Sequence, residues 1–387
     1  MAAMDGFIEQ NRQVLENLAG IIDGRRDALV ARIRRIAEIP SPTFEETGRT
    51  EYLMDAFRAA GLKDVYSLPL GSVLGFTAKG GAPVDLLLAA HIDTVFPAGT
   101  DVSTRIEGGR LMGPGTGDDA ANVAAIVTLA EILNETGIHP AGNIAFCGTV
   151  REEGLGNLGG ITEVLDAMGR RVAAVIAVDG VMPNITHRSQ AIRRYGVTVR
   201  GPGGHSWNHF GTPSAVHEAA RMVAALASVE VPTDPRTTFN VGRISGGTSV
   251  NAIAQECYME VDLRSLEREA VGDLETEFLR IVAEVPAAGI EVETKLIGHR
   301  PGASIDPEHD LVRTARSAGA YIGLGTALNA ASTDAALALS RGIPAIAFGT
   351  YRGGGTHTLE EYLETESVTT GLKWLALTVL ALSGIAI

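Results

Sequence analysis

VDLLLAAHIDT, residues 84–94, decides the fold. Between Asp85 and His91 the run is wholly apolar and only five residues long, so it reads as a buried strand rather than a helix. SVLGFTA (72–78), GNIAFCGTV (142–150) and VAAVIAVD (172–179) have the same character. Helical patterns lie before and between them: IEQNRQVLENLAGII (8–22), RRDALVARIRRIAEI (25–39), EETGRTEYLMDAFRAAG (45–61), ANVAAIVTLAEILNETG (121–137) and GGITEVLDAMGRR (159–171). Alternation of apolar strands with helices predicts an α/β fold, a mostly parallel mixed sheet covered by helices. Ligands of such sheets gather at the carboxyl ends of the strands.

The rhythm changes near Ala191. IRRYGVTVRG (192–201), TTFNVGRISG (237–246), ECYMEVDLRS (256–265) and IEVETKLIG (290–298) alternate like half-exposed strands. SAVHEAARMVAALASV (214–229) and EREAVGDLETEFLRIVAEV (267–285) read as helices. The β-α-β-β-α-β order predicts an α+β domain at 191–302, inserted between 1–190 and 303–387 of the first domain. SRGIPAIAFGT (340–350) resumes the first rhythm, and the apolar stretch from Trp374 to Ile387 predicts a buried final helix.

The strand ends carry polar residues. His91 and Asp93 alternate, so both can face one site, either as two ligands or as an imidazole with its carboxylate partner. Asp118 and Asp119 sit in GPGTGDDAANV, where a helix N-cap and a cation ligand are both open readings. Glu152 and Glu153 are adjacent carboxylates after an apolar strand, and such a pair repels unless a cation or proton intervenes. If Glu153 binds a cation, Glu152 becomes available as a general base. Asp179 could instead cap a turn with Gly180, and His357 could be an ordinary loop histidine. Taken jointly, Asp118, Glu152, Glu153 and Asp179 bring four negative charges, which two divalent cations would neutralise. Imidazole with carboxylate suits zinc first, then cobalt or manganese, better than calcium.

Bulk properties restrict the partners. A formal net charge of −14 without a basic block argues against nucleic acid. Cys147 and Cys257 are the only cysteines, which excludes a disulfide framework and suits a reducing compartment. The start has no charged segment leading into an apolar one, and the apolar end is shorter than the roughly 20 residues that cross a bilayer. We therefore expect a cytoplasmic protein that binds no membrane.

The order HID, GDD, REEG, VDG and GTHT resembles the M20 metallopeptidases, a family of tripeptidases, carboxypeptidases, acetylornithine deacetylases and aminoacylases. The resemblance implies that His91 and Asp179 bind one cation, Glu153 and His357 the other, and that Asp118 bridges them. It makes Asp93 the residue that orients His91, and Glu152 the general base. It also implies a cis peptide after Asp118. In the insert, His205 of GPGGHSWNHFGTPSAV resembles a histidine that reaches a partner subunit's site and polarises the scissile carbonyl. Asn251 and Arg264 resemble residues that hold the substrate and its carboxylate, and Gly354 and Gly355 would line it as well. The implied activity is hydrolysis of small peptides, with deacylation of N-acyl amino acids as the alternative and a catalytically silent binding protein as a remote one. The implied assembly is a homodimer through the insert. Two features depart from the family: Ala120 stands where many relatives have a basic residue, and the loop after His205 is long, as in the tripeptidase-like branch.

Overall fold

The computed structural model describes residues 2–284 and 286–386. The expected segments 1–190, 267–285 and 303–387 reach Met1, Val285 and Ile387, which lie outside the described residues. The chain divides into two units, Met1–Ser189 with Ser304–Ile387, and Gln190–Ala303.

The first unit is built on a nine-stranded mixed sheet. Its four central strands, Ile144–Thr149, Leu86–His91, Val175–Ala177 and Ala345–Ala347, are mutually parallel. Antiparallel neighbours flank them: Val73–Phe76 then Lys63–Ser67 on one side, and Asn184–Ser189 on the other. The apolar runs have a direct physical cause. Leu86, Leu88 and Ala90 pack into one core while Leu87 and Ala89 pack into the other. A strand buried on both faces cannot alternate with polar residues, so it shows as a continuous apolar run. The larger core lies under helices Arg26–Ala37, Thr47–Ala59, Asn122–Thr136, Asp310–Tyr321 and Ser367–Ser383; the smaller lies under Gly159–Met168 and Ala335–Ser340.

The expected final helix needs correcting at its end. It spans Ser367–Ser383, and Gly384, at φ 72°, then turns the chain into a short strand, Ile385–Ala386, paired with His139–Pro140. Glycine adopts a positive φ with extended ψ that other residues avoid, which lets the chain leave the helix here. Trp374 anchors the helix, with its ring centroid 4.3 Å from that of Phe348 and its Nε1–H donated to the Ala315 carbonyl at 2.8 Å. No helix among the described residues is long and apolar enough to cross a membrane.

The second unit is a four-stranded antiparallel sheet in the order Thr237–Gly246, Glu256–Ser265, Ala191–Arg200, Glu291–Arg300. With helices Ala215–Ala227 and Arg268–Glu284 this is the β-α-β-β-α-β order. Cys257, Met259, Val261 and Leu263 point from one strand into a core. Val271, Leu274, Phe278 and Ile281 meet that core at helical spacing.

Candidate metal centre

Three parallel strands end side by side, and the polar residues that follow them converge. His91 closes its strand, Glu152 and Glu153 follow Thr149, and Asp179 follows Ala177. Among the described residues, His91, Asp118, Asp119 and Asp179 offer ligand atoms that all lie within 4.8 Å of one another. Asp118, Glu153 and His357 form a second such group, and His91, Glu152 and Glu153 a third. Asp118 belongs to the first two groups. Its Oδ1 lies 2.8 Å from His91 Nε2, and its Oδ2 lies 3.1 Å from His357 Nε2. His357 Nε2 is also 2.9 Å from Glu153 Oε1.

The main chain is bent to make this possible. Thr116–Ala121 is a wide helical turn whose backbone is non-helical at Asp118 and Asp119, and the bond between those two residues is cis. Neither aspartate caps the helix that starts at Asn122. Asp119 turns inward instead, accepting the His91 N–H at 3.0 Å and the Asn122 side-chain amide at 2.6 Å. Arg151 and His357 have left-handed backbones, φ 56° and 66°, uncommon for residues with a side chain.

Asp93 does more than accompany His91. Its backbone carbonyl lies 3.1 Å from His91 Nδ1, and its carboxylate 3.6 Å away. A Nδ1–H donated to this carbonyl leaves Nε2, the nitrogen facing Asp118, as the ligating atom. The Asp93 carboxylate chiefly accepts from the main-chain N–H of Glu152 and of Glu153, each at 2.9 Å, and from the Thr43 hydroxyl at 2.9 Å.

Several supporting residues escaped the sequence reading. The Glu361 carboxylate accepts the N–H groups of Gly115, Gly117 and Asp118 at 3.0, 2.8 and 2.7 Å, which fixes the aspartate turn. Asn122 links Asp119 to Thr350, whose N–H and hydroxyl it accepts at 2.7 and 2.8 Å. Arg49 is buried and donates to the carbonyls of Ile39 and Ile92 at 3.0 and 3.1 Å. The Thr149 hydroxyl donates to Asp334.

The electrostatics fit a cation site. Burial, with Asp118 and Glu153 nearby, pushes the Asp179 carboxyl up to about 7. Burial likewise raises Asp119 well above the usual carboxylate range. Burial pushes Asp118 the same way, but hydrogen bonds from His357 and His91 outweigh it and hold the carboxyl low. Hydrogen bonds to Asp118 and Glu153 raise His357 to about 10. Buried carboxylates and imidazoles that must borrow protons to coexist are what divalent cations relieve. The donor set, oxygen and imidazole without thiolate, fits two divalent cations.

The residues expected in the insert fall in two places. His205 and Asn251 are neighbours: His205 pairs with Ala252 across two short strands, and the Ser206 N–H donates to the Asn251 carbonyl at 3.0 Å. His205 Nδ1 accepts the Trp207 N–H at 3.2 Å, so the neutral ring carries its proton on Nε2, ready to donate. Arg264 lies at the other end of strand Glu256–Ser265, eight residues from Glu256, or ~26 Å at ~3.3 Å per residue. There it pairs with Asp262. Within one unit, therefore, Arg264 is not brought to His205 and Asn251. Gly354 pairs with Tyr362, and Gly355, at φ 73°, leads into the His357 loop.

Comparison with known proteins agrees with this architecture. Succinyl-diaminopimelate desuccinylase of Corynebacterium glutamicum is 27% identical over 350 residues, 87% of this chain and 92% of its own. A tripeptidase from Staphylococcus aureus superposes with a TM-score of 0.74 at 24% identity, covering 92% of this chain and 97% of its own. The YXEP protein of Bacillus subtilis, a dinuclear metal-binding peptidase of the M20 family, gives a TM-score of 0.65 at 19% identity, covering 93% and 99%. The two structural likenesses speak for the fold. The model of peptidase family M20/M25/M40 matches residues 87–381, which include every candidate ligand from His91 to His357, and the chain belongs to that family.

Proposed function

We propose that this chain is a two-cation hydrolase that cleaves the amide bonds of small peptides. The observation that carries the reading is the sharing of Asp118 between two groups of ligand atoms, one reaching His91 and Asp179, the other Glu153 and His357. Bound there, two divalent cations would supply Lewis acidity that acidifies water and polarises a carbonyl. The rest of the chemistry falls to the protein. Glu152, buried beside Glu153 and oriented by Asp93, takes a proton from the attacking water. It returns that proton to the departing nitrogen as the C–N bond breaks, so the water adds across the amide. His205 Nε2–H donates to the developing oxyanion. Arg264 holds the substrate carboxylate, and Asn251, Gly354 and Gly355 line the substrate.

The separation of Arg264 from His205 and Asn251 within the insert supports a homodimer through it, in which each copy completes its partner's site. Zinc is the first expectation for the metal, with cobalt and manganese next, and the cytoplasm for the location, because Cys147 and Cys257 are both free thiols.

A second reading, deacylation of N-acyl amino acids, is favoured by the likeness to a desuccinylase. Both reactions hydrolyse an amide near a carboxylate. Turnover of di- and tripeptides measured beside N-acetyl and N-succinyl amino acids, with zinc, cobalt or manganese added, separates them. Peptide turnover alone supports the first reading, and turnover of acyl amino acids alone overturns it in favour of the second.

A further inference from the structure

The His357 loop does not only face Asp118 and Glu153. It also forms one wall of a cleft of about 820 Å³ within the first unit. Val95, Phe96, Pro97 and Leu359 line this cleft, with His357 beside them. Val95 is 38% exposed and Leu359 58% exposed, so neither is placed there by core packing. The volume lies within the roughly 300–1,000 Å³ of small-molecule sites, large enough for a short peptide. Thr100, Asp101, Ser103, Arg105 and Thr358 also line it. Arg105 pairs with Glu360 at 3.3 Å and Glu107 at 3.8 Å, and Asp101 accepts the Ser103 N–H at 2.9 Å. The wall made by Val95, Pro97 and Leu359 suits an apolar group, which would take these exposed side chains out of water.

We infer that this cleft is the specificity subsite, taking an apolar side chain of the peptide whose amide lies at the metal centre. The inference rests on the peptidase reading and adds the substrate class to it.

The test uses the metal-loaded enzyme and Gly-Gly-Gly, together with three tripeptides that carry leucine at the first, second or third position and three that carry aspartate. The wild-type chain is expected to prefer one leucine peptide over Gly-Gly-Gly by about tenfold or more in kcat/KM, the scale of a few apolar contacts. Val95→Asp and Leu359→Asp should each reduce that ratio by about tenfold or more, and Leu359→Ala, a milder change at an exposed site, should reduce it in part. Equal ratios in wild type and all three variants, or preference for an aspartate peptide, would overturn the subsite while leaving the peptidase reading intact. If the wild-type chain hydrolyses none of the peptides, the peptidase reading falls and the subsite with it.

Discussion

The Asp93 carboxylate accepts the main-chain N–H of Glu152, 59 positions further along the chain, at 2.9 Å. One side chain at the end of one strand thus sets the loop that follows its neighbour, and Glu153 is held the same way. Replacement by asparagine keeps one acceptor oxygen and turns an NH2 toward an N–H. Asp93→Asn should lower kcat by about 10–100-fold, as loss of a group that orients metal ligands does. Steady-state kinetics with metal in excess measure this, and an unchanged kcat would remove Asp93 from the positioning of the loop.

Glu152 is separable from the ligands by its effect. Glu152→Gln should reduce kcat by about 10²–10⁴-fold, the usual contribution of a general acid and base, while bound metal stays at the wild-type level. Kinetics and elemental analysis of the same preparation are both needed. Loss of metal together with activity would make Glu152 a ligand and leave the base unassigned.

Glu361 is a structural dependency of the centre. Its carboxylate takes three N–H groups of the aspartate turn. Glu361→Ala would leave those buried donors without an acceptor, at about 1–3 kcal/mol each. We expect a large drop in the thermal midpoint and weaker metal binding, read by calorimetry and metal titration. Glu361→Gln, which retains one acceptor oxygen, should recover part of both.

The pH dependence of the metal-stripped chain has a definite sign. Burial, chiefly, raises the carboxyls of Asp179 and Glu361 from ordinary values of 3.8 and 4.5 to about 7. The folded state then holds these protons more tightly than the unfolded chain, so stability present at low pH is lost as pH rises through about 7. His357, raised from 6.5 to about 10 by Asp118 and Glu153, acts in the same direction over a higher range. Thermal melts should therefore show the stripped chain less stable near pH 8 than near pH 5.5, with added metal stabilising more at the higher pH because it replaces the protons. A stripped chain equally stable at both would contradict this.

Much of the candidate site could be read in the sequence because its candidate ligands follow buried strands. Two-sided burial makes Leu86–Ala90 and Val175–Ala177 continuous apolar runs, and the first polar residues after them, His91 and Asp179, stand out. The supporting residues carry no such mark. Arg49 sits in a helix whose charge pattern looks like a solvent face, although its side chain is buried. Glu361 adjoins Glu360, and nothing in the spacing says which of the two turns inward; only the three N–H groups of a distant loop decide it. Asp119 was legible as an acid beside Asp118 but not as an acceptor for the His91 N–H, which depends on the bent backbone of the turn. In the insert, strand alternation gives the sheet, yet the position of Arg264 relative to His205 follows only from the strand pairing.

The claim that the ligand groups form one two-cation centre is tested most directly by counting metal. The chain, loaded with zinc and dialysed, should hold two divalent ions, and Asp118→Ala should lose affinity for both, since its carboxylate serves each group. Elemental analysis together with metal titration gives both quantities. One tightly bound ion in the wild-type chain, or an Asp118→Ala variant that keeps two, would contradict the shared centre.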